Sequence, residues 1–172
     1  AINDTVAALG KPGFSGNSNG AQHSTVRDFI EESPGTMWIA TDGSGVFTYR
    51  PGDTRMQQIQ HDPAIDSSLP GDVVRDLLRD RSGNLWVATD LGLARTHPDA
   101  RTAFAILPSP LEPNTLRDTN VRGIYVDTRH RIWLGLGSGR IDMIDLAQGR
   151  MHHLQLGGSQ VHRDTQSFVE AA

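Results

Sequence analysis

The chain has 172 residues, the length of one ordinary domain, and its 37% apolar and 21% charged composition supports a packed core but not a membrane-embedded body. No run approaches the roughly 20 apolar residues that cross a bilayer, and the lack of cysteine excludes a disulfide framework, a thiolate metal site and a cysteine nucleophile. The net charge of -4, from 16 basic and 20 acidic residues, is spread without blocks, and Arg129-His130-Arg131 is too short for the basic stripe of a nucleic-acid binder.

The opening KPGFSGNSNGAQ, residues 11–22, is rich in glycine, serine and asparagine and reads as a loop. No start methionine or signal-peptide pattern precedes it, which fits a processed product or an excised piece equally. From Val26, VRDFIE has the β-branched and large apolar content of a strand. The turn SPGT leads to MWIAT with Trp38, the loop DGSG to VFTY, and a weaker strand, MQQIQ, follows from Met56. The same order returns from Val74: VRDLLR, the turn RSGN, LWVAT with Trp86, the loop DLG, LARTH and FAILP. It returns again from Val121: VRGIYV, DTRHR, IWLGL with Trp133, the loop GSG, IDMID and MHHLQL.

Trp38, Trp86 and Trp133 are spaced by 48 and 47 residues; a valine lies 12 before each, and Met56, Phe104 and Met151 lie 18 after. A register held at three anchors is an internal repeat. Four short strands in so few residues leave no room for an ordinary helix. Each unit is an antiparallel meander that would leave one apolar face wet if alone, and radial placement of successive units buries both faces. The expected fold is therefore all-β, a β-propeller of about three four-stranded blades over 24–71, 72–118 and 119–165, with Phe168 in 166–172 opening a further blade. Three blades do not close a ring, so the remaining blades belong to a longer parent chain or to another copy. The tryptophans are expected to pack between blades, with Ala40, Ala88 and Gly135 leaving room for the neighbouring sheet.

Each first strand carries an arginine after its valine: Arg27, Arg75 and Arg122. At one level along a channel they form an electropositive funnel for an anionic group, or brace carboxylates such as Asp28 and Asp76. The loops after the tryptophan strands, with Asp42, Asp90 and Ser138, share one face with the connections 62–72 and 108–120. In those connections Pro63 and Leu69 match Pro110 and Leu116. Recognition is expected on that face.

Other chemistry finds little footing. His152 and His153 are adjacent on a strand and so point to opposite sides; no metal or cofactor is expected. The Asp-Gly pairs suit turns better than a calcium loop. Gly137-Ser138-Gly139 lacks the strand-to-helix elbow of an activated serine, and no carboxylate pair stands out for glycoside cleavage. A propeller lyase or glycosidase and a protein-binding scaffold remain as alternatives to ligand sensing.

DRSGNLWVATDLGLAR, from Asp80 to Arg95, closely resembles the two-component regulator propeller repeat: an acidic residue, a glycine, Leu-Trp, a small residue with threonine, and Gly-Leu. In the first unit Glu32, Gly35, Met37-Trp38, Ala40-Thr41 and Gly45-Val46 follow with conservative changes. The third keeps Asp127 and Ile132-Trp133, but His130 replaces the turn glycine and Leu136 the threonine, with Gly139-Arg140 near the usual Gly-Leu. The resemblance spans roughly Ser24 to Leu156. It implies part of a seven-bladed propeller in the periplasmic or extracellular sensor region of a bacterial inner-membrane receptor, noncatalytic in itself. It further implies carbohydrate or another small ligand, a receptor homodimer, and histidine kinase or diguanylate cyclase activity elsewhere in the parent.

Overall fold

Short runs of β-branched and large apolar residues, cut every few residues by glycine-bearing turns, can satisfy their backbone groups only by pairing with the next run. The computed structural model describes residues 24–96 and 103–156. The predicted loop at 11–22 and the predicted further blade at Phe168 lie outside them. The first sheet contains β1 (Val26–Ser33), β2 (Thr36–Thr41), β3 (Val46–Tyr49) and β4 (Gln57–Ile59). The second contains β5 (Val74–Arg79), β6 (Leu85–Thr89), β7 (Gly92–Thr96) and β8 (Ala103–Ile106). The third contains β9 (Val121–Val126), β10 (Arg131–Leu136), β11 (Ile141–Asp145) and β12 (Arg150–Leu154). Each is a four-stranded antiparallel meander paired in chain order. The inner strands β1, β5 and β9 lie side by side, the arrangement of propeller blades.

Two apolar seams hold the blades together. Ala40 and Val46 of blade 1 meet Leu69, Val74, Leu77, Leu85 and Val87 of blade 2, with Trp38 packed against them. Trp86, Ala88 and Leu93 of blade 2 meet Leu116, Val121, Ile124, Ile132, Leu134 and Leu136 of blade 3. Each of these tryptophans thus faces the following blade, as the repeat predicts, and Trp86 is almost fully enclosed at 1% exposure.

The aspartate six residues before the tryptophan explains how the ring is aimed. Asp80 Oδ1 accepts from the backbone of Ser82 and Asn84, closing the turn, while Oδ2 accepts from Asn84 Nδ2 at 2.8 Å and Trp86 Nε1 at 2.9 Å. Asp127 repeats this with Arg129, Arg131 and the Trp133 indole. Arg95 and Arg131 lie over the rings of Trp86 and Trp133, 5.5 and 5.3 Å from their centroids, within cation–π range. Glu32 holds the corresponding place in blade 1 but takes the Ser33 hydroxyl instead, and no described carboxylate serves the Trp38 indole.

The same turn uses a left-handed residue in every blade: Gly35 at φ 80°, Gly83 at φ 85° and His130 at φ 62°. A side chain in that region costs about 1 kcal/mol. His130→Val, β-branched, is expected to cost a further ~1–2 kcal/mol, whereas His130→Gly is expected to be neutral or slightly stabilising; urea unfolding of both variants checks the order. Gly45 has a second constraint, because a Cβ there would meet the Ile59 carbonyl oxygen at 2.1 Å.

Candidate functional face

Pairing along the inner strands breaks at the same point in each blade, skipping one residue between Val26 and Asp28, between Val74 and Asp76, and opposite Gly135 and Leu136. The skipped residue is Arg27, Arg75 or Arg122. A bulge bends the strand and re-aims the side chain it carries, so the predicted arginine level is built by three equivalent irregularities. The skip also turns the residue after the arginine toward the neighbouring blade.

The loops that follow the tryptophan strands share this face with the connections entering the inner strands, as expected from the meander. Asp42 N donates to Thr25 O, and Gly43 N and Gly45 N both donate to Asp72 O. Asp90 N donates to Val73 O, Gly137 N to Asn120 O at 2.8 Å, and Ser138 N to Asp118 Oδ2 at 3.0 Å.

Of the sequence-predicted residues, Arg27, Arg75 and Asp42 come together. Arg27 donates to the Asp42 carboxylate and Arg75 lies 3.7 Å from the same oxygen. The Arg27 hydrogen bond and the charges of both arginines hold the Asp42 carboxyl below its ordinary range, against the opposing pull of partial desolvation. Asp90 stands apart, its Oδ1 buried without a hydrogen-bond partner among the described residues and set against Gly71, where a Cβ would lie 2.8 Å away.

The suggestion that the arginines brace Asp28 and Asp76 is corrected by these contacts. Arg27 and Arg75 turn to Asp42, while the two aspartates reach across the seams. Asp28 Oδ2 accepts from Leu77 N at 2.9 Å and Asp76 Oδ2 from Ile124 N at 2.7 Å, with Asp76 Oδ1 also accepting from Leu77 N at 3.0 Å. β5 and β9 are edge strands of their sheets, so amides on their open edge have no partner in their own ladder and take one from the neighbouring blade. In blade 3 the equivalent residue is Gly123, which has no carboxylate to offer. Burial, more than the nearby charge of Asp28, pushes Asp76 up to about 6.

His152 and His153 do point to opposite sides, His152 exposed and His153 partly buried. Its Nδ1 lies 2.7 Å from Oδ1 of the fully buried Asp142, and Nε2 lies 3.2 Å from the Pro113 carbonyl. Sequence reading missed it because the pair forms across β11 and β12, where only their register brings Asp142 opposite His153.

Residues 68–90, which span β5 and β6 of the second blade, match the family described as two component regulator propeller. No curated protein sequence matches the chain significantly. Among solved structures, the extracellular domain assigned to the hybrid two component system BT3049 of B. thetaiotaomicron superposes with a TM-score of 0.68 at 19% identity, over 81% of this chain and 19% of that one. The extracellular domain assigned to the hybrid two component system BT4673 of the same organism gives a TM-score of 0.57 at 25% identity, over 74% of this chain and 16% of that one. The chain therefore spans less than a fifth of the length of either structure.

Proposed function

Because one of its blades carries a two component regulator propeller repeat, we propose that the chain is part of a noncatalytic, extracytoplasmic ligand-sensing module of a bacterial two-component signalling receptor, one that responds to carbohydrate. The observation that carries this reading is the repeat itself, set in blades whose inner strands are each bulged at an arginine. Extracellular domains of similar fold support the location. Arg27, Arg75 and Arg122 with Asp42 form the contact face, suited to sugars that carry an acidic group, and Asp90 and Ser138 lie in the equivalent loops of the next two blades. Binding biases the receptor dimer toward one arrangement, and phosphotransfer belongs to the parent chain.

The inner face of blade 1 supports further blades in the parent protein. Val26 and Phe29 are 40% and 48% exposed, whereas their counterparts Val74 and Val121 are fully buried and Leu77 and Ile124 are only 6–7% exposed, each covered by the preceding sheet. Sedimentation at rising concentration should therefore show self-association of this chain; a strict monomer throughout would count against an unfilled blade face.

The ligand reading is tested by calorimetric titration of uronic-acid and neutral oligosaccharides into the chain and its Arg27→Gln, Arg75→Gln and Arg122→Gln variants. Affinity for the acidic sugars should fall about tenfold for loss of one charged contact. Equal affinity in all three variants would remove the arginines from the ligand site.

A further inference from the structure

A cleft of about 860 Å³ lies between the connection from blade 1 and the outer part of blade 2, with Asp62, Asp66, Ile65, Leu91, Phe104 and Leu107 on its walls. Four of those side chains are unusually bare for their size: Phe104 is 67% exposed, Ile65 51%, Leu91 50% and Leu107 48%. Isolated exposed leucines need no explanation, but several gathered around one ligand-sized concavity do.

Blade 3 shows what closes the same space when it is meant to be closed. The connection 108–120 is fastened to β12 by Asn114, which donates to Gly149 O at 2.8 Å and accepts from Met151 N at 2.5 Å. His153 stands between strand and connection, one ring nitrogen on Asp142 and the other on the Pro113 carbonyl. In blade 2 the pair opposed across β7 and β8 is Ala94 and Ala105, and Asp66 and Ser67 replace Pro113 and Asn114 in the aligned connection. The connection still folds, with His61 on Leu69 O and Ser68 on Asp62. Among the described residues it is not fastened to β8 as its counterpart is to β12, and Ala105 lines an opening where His153 fills one.

The chemistry of the walls narrows the occupant. Asp62 and Asp66 line the cleft, and among the described residues no lysine or arginine does. Asp62 spends Oδ1 on Ala64 N, while the Asp66 side chain makes no hydrogen bond or ion pair among the described residues. His61, Ser67 and Ser68 add polar groups to the apolar walls, and two carboxylates favour a cation over an anion. We propose that the blade 2 cleft binds a small organic cation, an amine with an aromatic or branched apolar body, its ammonium group facing Asp66 and its body against Ile65, Leu91 and Leu107. In blade 3 the chain supplies its own nitrogenous ring at that place; in blade 2 a ligand takes it. The inference does not depend on the sensing role, since it concerns a different part of the surface from the arginines.

Titration of the 172-residue chain with 2-phenylethylamine tests it, with 2-phenylethanol and phenylacetate as the neutral and anionic counterparts. Saturable binding of the amine is expected, about tenfold weaker for the alcohol and for the Asp66→Asn variant, where one charged contact is lost. Ala94→Asp with Ala105→His, which transplants the blade 3 filler, should abolish binding while far-ultraviolet circular dichroism stays unchanged. If that pair does not fold, Ala105→Leu alone fills part of the cleft and should weaken binding several-fold. No saturation by the amine, equal or tighter binding of phenylacetate, or unchanged affinity in both Asp66→Asn and the filled variant would overturn the proposal. Displacement of the amine by a neutral disaccharide would overturn its ligand class.

Discussion

Replacing Trp86 with alanine should destabilise the chain by about 3–5 kcal/mol, a large part of the roughly 5–15 kcal/mol typical of a domain. The ring is 1% exposed and sits in the seam between blades 2 and 3, so its removal leaves a cavity walled by two sheets that cannot close independently. Trp38→Ala and Trp133→Ala should cost less, because both rings are only half-buried. A second comparison separates shape from hydrogen bonding. Asp80→Ala strands the turn amides of Ser82 and Asn84 together with the indole N–H, and buried donors left unpaired cost ~1–3 kcal/mol each. Trp86→Phe removes the indole donor, so Asp80→Ala should cost about 1 kcal/mol less in that background. Additive losses in urea unfolding would show that the carboxylate organises only the turn.

Asp76 in the seam should make stability fall as the solution is made alkaline, opposite to the usual behaviour of salt-bridged carboxylates. Asp76 is pushed from an ordinary 3.8 to about 6 by burial, with Asp28 beside it. The folded chain therefore holds a proton that the unfolded chain has released. The resulting stabilisation is fully present below about pH 4 and is lost as pH rises through about 6. The loss is on the order of 2–3 kcal/mol at 1.36 kcal/mol per pKa unit. Asp42, Asp80 and Asp127 are all shifted down, and their contributions vanish on the acid side instead. Stability should consequently peak near pH 4–5. Asp76→Asn keeps an acceptor for Ile124 N and carries no charge, so its melting temperature should exceed that of the unaltered chain at pH 8 and change little between pH 5 and 8. A parallel decline in both proteins would show that the seam does not titrate.

The strands were legible because a packing requirement repeats at fixed spacing. Val26, Val74 and Val121 with the three tryptophans set the strand register, and the described strands begin and end within about two residues of the predicted ones. The equivalent backbone positions of Arg27, Arg75 and Arg122 were legible for the same reason. The acceptor of the indole was harder to see, since an aspartate before a glycine reads as a turn residue. Its signal was the six-residue spacing from Asp80 to Trp86 and from Asp127 to Trp133, and the change to Glu32 treated as conservative is the one that loses the bond. Asp28 and Asp76 were visible as VRD beside VRD and VRG, but their target is an amide on the open edge of another sheet. The cleft depends on Ala105 standing where blade 3 has His153, a difference that emerges only after β8 and β12 are placed in register.

The carboxylate contacts across the seams also have a direction. Asp28 serves an amide of the second sheet and Asp76 an amide of the third, so the acceptor always lies nearer the N-terminus than the donor it satisfies. During synthesis each sheet leaves the ribosome to find its fastener already waiting on the sheet before it, which favours assembly in the order of translation. Gly123 interrupts this succession. At that position the third sheet therefore offers a following sheet no carboxylate of this kind, and the chain of fasteners that runs from the first sheet to the third stops there.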